Sequence, residues 1–132
     1  EALALKELGF DEQCMRYYSS KDGGLLVLPQ RISSIHNTKN SSVEKEGYCS
    51  APLFQQIFRW FREQHKLDCC ISRIPPEMYG KGNIKNYLGY IWCELANPRG
   101  QETINSDTYE EAELECLRAL IKIAQNSKAT SA

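Results

Sequence analysis

The chain has 132 residues, 42% of them apolar and 25% charged, with a formal net charge of −1. That is the size and make-up of one globular domain with a real core, read as residues 1–132. The near-neutral balance gives no global attraction to nucleic acid or to an acidic membrane, and no apolar run is long enough to span a bilayer.

Glu1–Leu8 has helix-forming composition, and Gly9 follows as a C-terminal stop. Cys14–Ser19 and Leu25–Leu28 are β-rich runs separated by Lys21-Asp22-Gly23-Gly24, whose glycines can take positive φ. They predict an N-terminal β-hairpin that Pro29 ends. Gln30–Gly47 is dominated by Ser, Asn, Lys and Glu, and its Ile32, Ile35 and Val43 follow no period. It reads as a mobile loop over 30–47, or as an irregular strand around Ser33–Asn37.

Ser50–Leu67 carries the strongest helix signal. Leu53, Phe54, Ile57, Phe58, Trp60 and Phe61 recur at spacings of three and four, which gathers them on one face. Gln55, Gln56, Arg59, Arg62, Glu63 and Lys66 take the other face, with Ser50 as N-cap and Pro52 in the first turn. Full burial of those six apolar side chains would supply on the order of 10 kcal/mol, as an upper bound.

Asp68–Ile74 is strand-like and stopped by Pro75-Pro76; Glu77–Asn86, with Gly80, Gly82 and Asn83, reads as a connecting loop. Tyr87–Leu95 is rich in aromatic and β-branched residues and predicts a strand. Asn97-Pro98-Arg99-Gly100 signals a turn into a short strand, Gln101–Ile104, that closes a meander. Thr108–Gln125 predicts the last helix. Thr108 with Glu111 forms a capping box, acidic residues crowd the start, and Arg118 and Lys122 lie toward the end. Ser127–Ala132 reads as a frayed tail. The predicted class is α+β: an antiparallel sheet with two main helices packed on one face, and the N-terminal hairpin.

The residues that could carry chemistry are few. Cys14, Cys49, Cys69, Cys70, Cys93 and Cys116 form no C-x-x-C pair, and the two histidines are not spaced with them as metal ligands. Free thiols of a cytosolic protein are expected, with no metal. His65 lies close in sequence to Cys69 and Cys70, but no third orienting group or oxyanion hole accompanies it. A half-buried histidine at a helix end is the expectation, and no catalytic residue is assigned. Nor is there a phosphate-binding loop, so no cofactor is expected. Nine tyrosines and tryptophans are many for this length, and an exposed aromatic sheet face would mark an interface.

The order helix–strand–strand–strand–helix from Ala51 to Gln125 resembles that of a double-stranded-RNA-binding domain. Such domains grip phosphates with lysines at the start of the last helix. Here Asp107, Glu110, Glu111, Glu113 and Glu115 stand in that place and would repel a phosphate backbone. The candidate interaction face is Arg59, Arg62 and Lys66 on the central helix, with Lys81 and Lys85 from the loop that follows.

Three stretches, Leu5–Tyr18, Ser50–Leu67 and Thr108–Ala124, are similar to a family of small phage- and prophage-encoded proteins of Bacteroides-type gut bacteria. The resemblance implies a cytosolic protein of a mobile element and supplies no activity, cofactor or catalytic residue. The expected function is therefore that of a non-enzymatic accessory protein acting on an unknown protein partner, which includes a second copy of the chain. The alternative is a weak nucleic-acid-binding module using the five cations.

Overall fold

The structure, a computed structural model, describes residues 1–14, 16–19, 25–27, 39–40, 48–75, 86–93 and 102–131. The fold is α+β, its sheets antiparallel throughout, and the N-terminal hairpin is present. The chain divides into two compact units, Glu1–Ile57 and Phe58–Ala132.

The first unit opens with α1 (Ala2–Leu8), which Gly9 ends at φ 99°. The N–H groups of Gly9 and Phe10 donate back to the carbonyls of Lys6 and Leu5 at 3.0 and 2.9 Å. This double closure needs a left-handed residue, and glycine adopts that conformation without a Cβ penalty. Phe10 and Leu5 are then buried together with Leu8, Cys14 and Cys49. β1 (Arg16–Ser19) pairs with β2 (Leu25–Val27) as the hairpin, and on its other edge with β3 (Tyr48–Ala51).

β3 corrects the sequence reading. Ser50 is a strand residue opposite Tyr17, not a helix cap. Its N–H donates to Asn40 Oδ1 at 2.8 Å, while Asn40 Nδ2 donates to the Phe10 carbonyl at 2.5 Å. Asn40 is buried and ties the exit of α1 to the sheet edge. Apart from Lys39 and Asn40, the residues of 30–47, including the candidate strand at Ser33–Asn37, lie outside those described.

The helix begins later than expected. α2 is Phe54–Trp60, and it continues as a π-helical turn over Phe61–His65. At its start the Leu53 N–H donates to Gln56 Oε1 at 3.0 Å, and Gln56 Nε2 donates to the Gln13 carbonyl at 2.8 Å. A glutamine three residues on thus fills the role assigned to Ser50, in the manner of half a capping box. Of the six expected core residues, Ile57, Trp60 and Phe61 are fully buried and Leu53 is 61% exposed.

The second unit holds the meander β4 (Leu67–Arg73), β5 (Tyr87–Cys93) and β6 (Glu102–Ser106), in that spatial order. The turn Phe61–His65 contacts β4, and α3 (Tyr109–Ser131) packs on all three strands. α3 buries Ala112, Cys116, Leu117, Leu120, Ile121 and Ala124, a stripe at helical spacing. The expected capping box is formed: the Glu111 N–H donates to Thr108 Oγ1 at 3.2 Å, and the Thr108 N–H donates to Glu111 Oε2 at 3.4 Å. α3 runs past Gln125, the end expected from sequence, to Ser131. Ser127 and Thr130 turn their hydroxyls onto the carbonyls four residues back, so their polar groups are satisfied inside the helix.

Candidate functional site

Three residues of the expected basic face fall among the described residues. Arg59, Arg62 and Lys66 are all exposed. Arg62 Nη1 lies 3.5 Å from Asp68 Oδ1, a solvent-exposed pair worth little in energy that nonetheless offsets the charge. Lys66 ends the π turn at φ 55°, and its Nζ donates to the Glu63 carbonyl at 3.2 Å. Arg59 is not free either. Lys81 and Lys85 lie outside the described residues.

His65 is half-buried at the end of that turn, as expected. Its ring lies edge-on to Trp60 at 4.7 Å and tilted against Phe61 at 5.5 Å. Burial in this aromatic corner, and then the nearby Lys128 charge, hold its basicity below the ordinary histidine value. Cys69 finds a different partner: Cys116 on α3 is the group that most affects its thiol. Within that pair Cys69 keeps its proton, held first by Cys116 and then by burial. Cys116 is drawn the opposite way. Cys14, Cys49, Cys69, Cys70 and Cys116 are all free thiols. Among the described residues no group of three His, Cys, Asp or Glu side chains could hold a metal ion, and no helix is long and apolar enough to cross a membrane.

A concave feature of the described residues lies at the head of α3, where β4 and β6 end and β5 begins. It is an open cleft of about 450 Å³ with Arg73, Asn86 and Tyr87 on the strand side and Asp107, Thr108, Tyr109 and Glu110 on the helix side. Asn86 Nδ2 donates to the Asp107 carbonyl at 3.2 Å and fixes the junction between β5 and α3. Tyr87 and Tyr109 meet edge to face at 5.9 Å, and Tyr109 remains 45% exposed.

The cleft is mostly acidic at its helix side. Asp107, Glu110 and Glu111 are exposed, and the Glu111 carboxylate is occupied by the N–H groups of Asp107 and Thr108. Burial and then the Glu110 charge push the Glu113 carboxyl above its ordinary range. The Tyr109 phenol is also held protonated, by burial and then by Glu113. The cleft thus offers carboxylates and an exposed ring to a cation, and one cation, Arg73, to an anion.

No motif in the sequence singles out this cleft, and by sequence its carboxylates signify only an obstacle to phosphate. The one available signal is Tyr109, an aromatic in the acidic first turn of a capped helix. Compared with known proteins, the chain matches no family model, no curated protein and no solved structure.

Proposed function

We propose that the protein is a non-enzymatic accessory protein of a mobile element, cytosolic, that works by binding another protein at the head of α3. One observation carries this reading: Tyr109 is 45% exposed beside Asp107 and Glu110 in an open cleft. Large aromatics left in water beside a concavity characterise protein contact surfaces. The surrounding carboxylates select a partner segment rich in Lys or Arg, whose cations meet both charge and a tyrosine face. The free thiols suit a reducing compartment.

The test replaces Tyr109 with a photo-crosslinking amino acid in cells that contain the natural partners. Crosslinks to a basic protein segment are expected, and Asp107→Lys with Glu110→Lys should abolish them. Sedimentation of the purified chain tells a foreign partner from a second copy. Crosslinks that ignore the charge reversal would refute the assignment of this surface.

The second reading is weak nucleic-acid binding, favoured by the helix–three-strand–helix order and by exposed Arg59, Arg62 and Lys66. A binder that works through phosphates loses affinity steeply with salt, because it releases counterions. No binding of a labelled random duplex is expected at physiological salt. Micromolar binding that is lost on changing Arg59 and Arg62 to Ala would establish this second reading instead.

A further inference from the structure

Gly89 brings two thiols together. β4 and β5 pair with Cys69 opposite Ile91 and Ile71 opposite Gly89, so these four positions share one face of the pleat. α3 crosses that face, and Cys116 Sγ sits directly over Gly89, in the space a side chain there would fill. The missing side chain lets the sulfur drop to the sheet beside Cys69. Cys69 lies on that face two residues along β4 from Ile71, the strand partner of Gly89, so both thiols belong to the same junction of strand and helix. Cys116 is fully buried, whereas Cys69 retains access to solvent. The neighbouring Cys70 is exposed and stands on the opposite face of β4.

We propose that Cys69 and Cys116 are an oxidation site that closes into a disulfide tying β4 to α3 when the protein meets a small peroxide. A disulfide needs a sulfur separation of about 2.05 Å. Rotation of the two cysteine side chains within this junction brings the sulfurs toward that separation. The accessible Cys69 sulfur attacks one peroxide oxygen, the O–O bond breaks, and the thiol proton leaves with the departing hydroxide as water. Cys69 is then a sulfenic acid. The Cys116 sulfur displaces its hydroxyl, which takes the Cys116 proton and leaves as a second water. Two thiols have lost two electrons and hydrogen peroxide has gained them.

The purified chain lends itself to a direct test. Cleavage after Lys and Arg puts Cys69 in Leu67–Arg73, Cys116 in Gly100–Arg118 and Cys93 in Asn86–Arg99, three separable peptides. Cys70 shares the Cys69 peptide, so the parent for the experiment is Cys70→Ser. After treatment with hydrogen peroxide and alkylation of the remaining thiols, mass spectrometry should find Leu67–Arg73 joined to Gly100–Arg118. Dithiothreitol should release the link, and Cys69→Ser or Cys116→Ala should prevent it. The oxidised parent should also melt at a higher temperature than the reduced one. A folded parent whose Cys69 stays reduced would overturn the proposal. So would linkage of Cys69 to Cys93 or to a second chain, or its conversion to sulfinic acid without crosslinking. If either variant fails to fold, the peptide map of the parent decides alone.

Discussion

Gly89→Ala tests the packing of α3 on the meander. Gly89 is buried in the middle of β5, opposite Ile71 on one side and Ile104 on the other. An added Cβ would lie inside the contact radius of Cys116 Sγ, and it would already touch Ile104 Cβ at 3.5 Å. It therefore cannot swing aside, and the sulfur belongs to a fully buried residue of α3. Overpacking of this kind costs about 1–3 kcal/mol. Removing a glycine from a strand returns roughly 0.5–1 kcal/mol of chain entropy, so a net loss of about 1–2 kcal/mol is expected. Cys116→Ala alone should cost about 1 kcal/mol for the small void it leaves. In the double variant the new methyl group at 89 occupies that void, so the two losses should not add. The assay is urea unfolding followed by circular dichroism on the four proteins of the cycle. A favourable coupling of about 1–2 kcal/mol is expected. Losses that add to within about 0.5 kcal/mol would refute the close approach of Cys116 to Gly89.

Three further predictions follow from single contacts. Thr108→Ala removes the acceptor for the Glu111 N–H and should lower stability by about 1 kcal/mol, read by urea unfolding; Thr108→Ser should be close to neutral. Asn40→Ala leaves the Phe10 carbonyl and the Ser50 N–H without their partner in a buried setting, for a loss of about 2–4 kcal/mol. Unchanged unfolding would show that water replaces both bonds. His65 supplies a pH dependence of definite sign. Its folded-state value lies below the ordinary 6.5, through burial first and Lys128 second, so the unfolded chain takes up the proton more readily. Stability present above pH 6.5 is lost as pH falls through the folded value, and His65→Gln should flatten that slope. An NMR titration placing His65 at or above 6.5 would contradict this.

Local signals are legible in the sequence and distant pairings are not. Gly9 and the Thr108–Glu111 box are decided within a few residues, and both ends form as the sequence predicts. The apolar spacing predicts an unbroken α-helix and does not show the π turn, which accompanies the fit of the sequence neighbours Trp60, Phe61 and His65 against one another. The thiol pair lies in between. A glycine inside the aromatic-rich run Tyr87–Leu95 is a visible sign of close approach from above. That the approaching atom is Cys116 Sγ depends on how α3 crosses the sheet, which no spacing encodes.

Ser50 shows how a correct local rule can lose. Ser50-Ala51-Pro52 before an apolar helical period satisfies the criteria for a helix entry, and Ser50 would have capped an orphan N–H. In the fold its own N–H is the group in need, because β3 is an edge strand of the first sheet. Asn40, ten residues earlier, meets that need from a stretch with no periodicity, and β1 supplies the pairing on the other side. Gln56 then takes over the capping duty, which frees Ser50 to be a strand residue. The two arrangements differ by a few hydrogen bonds, each of about 1 kcal/mol, so long-range partners decide between them. Breaking the Gln56 bond with Gln56→Ala should fray the first turn of α2, whereas Asn40→Ala should loosen β3. Amide hydrogen exchange separates the two: faster exchange confined to Leu53–Ile57 in the first case, and to Tyr48–Ala51 in the second, is the expected result. Loosening of both segments in either variant would show that strand and helix entry are one cooperative element, and that Asn40 and Gln56 do not settle the role of Ser50 separately.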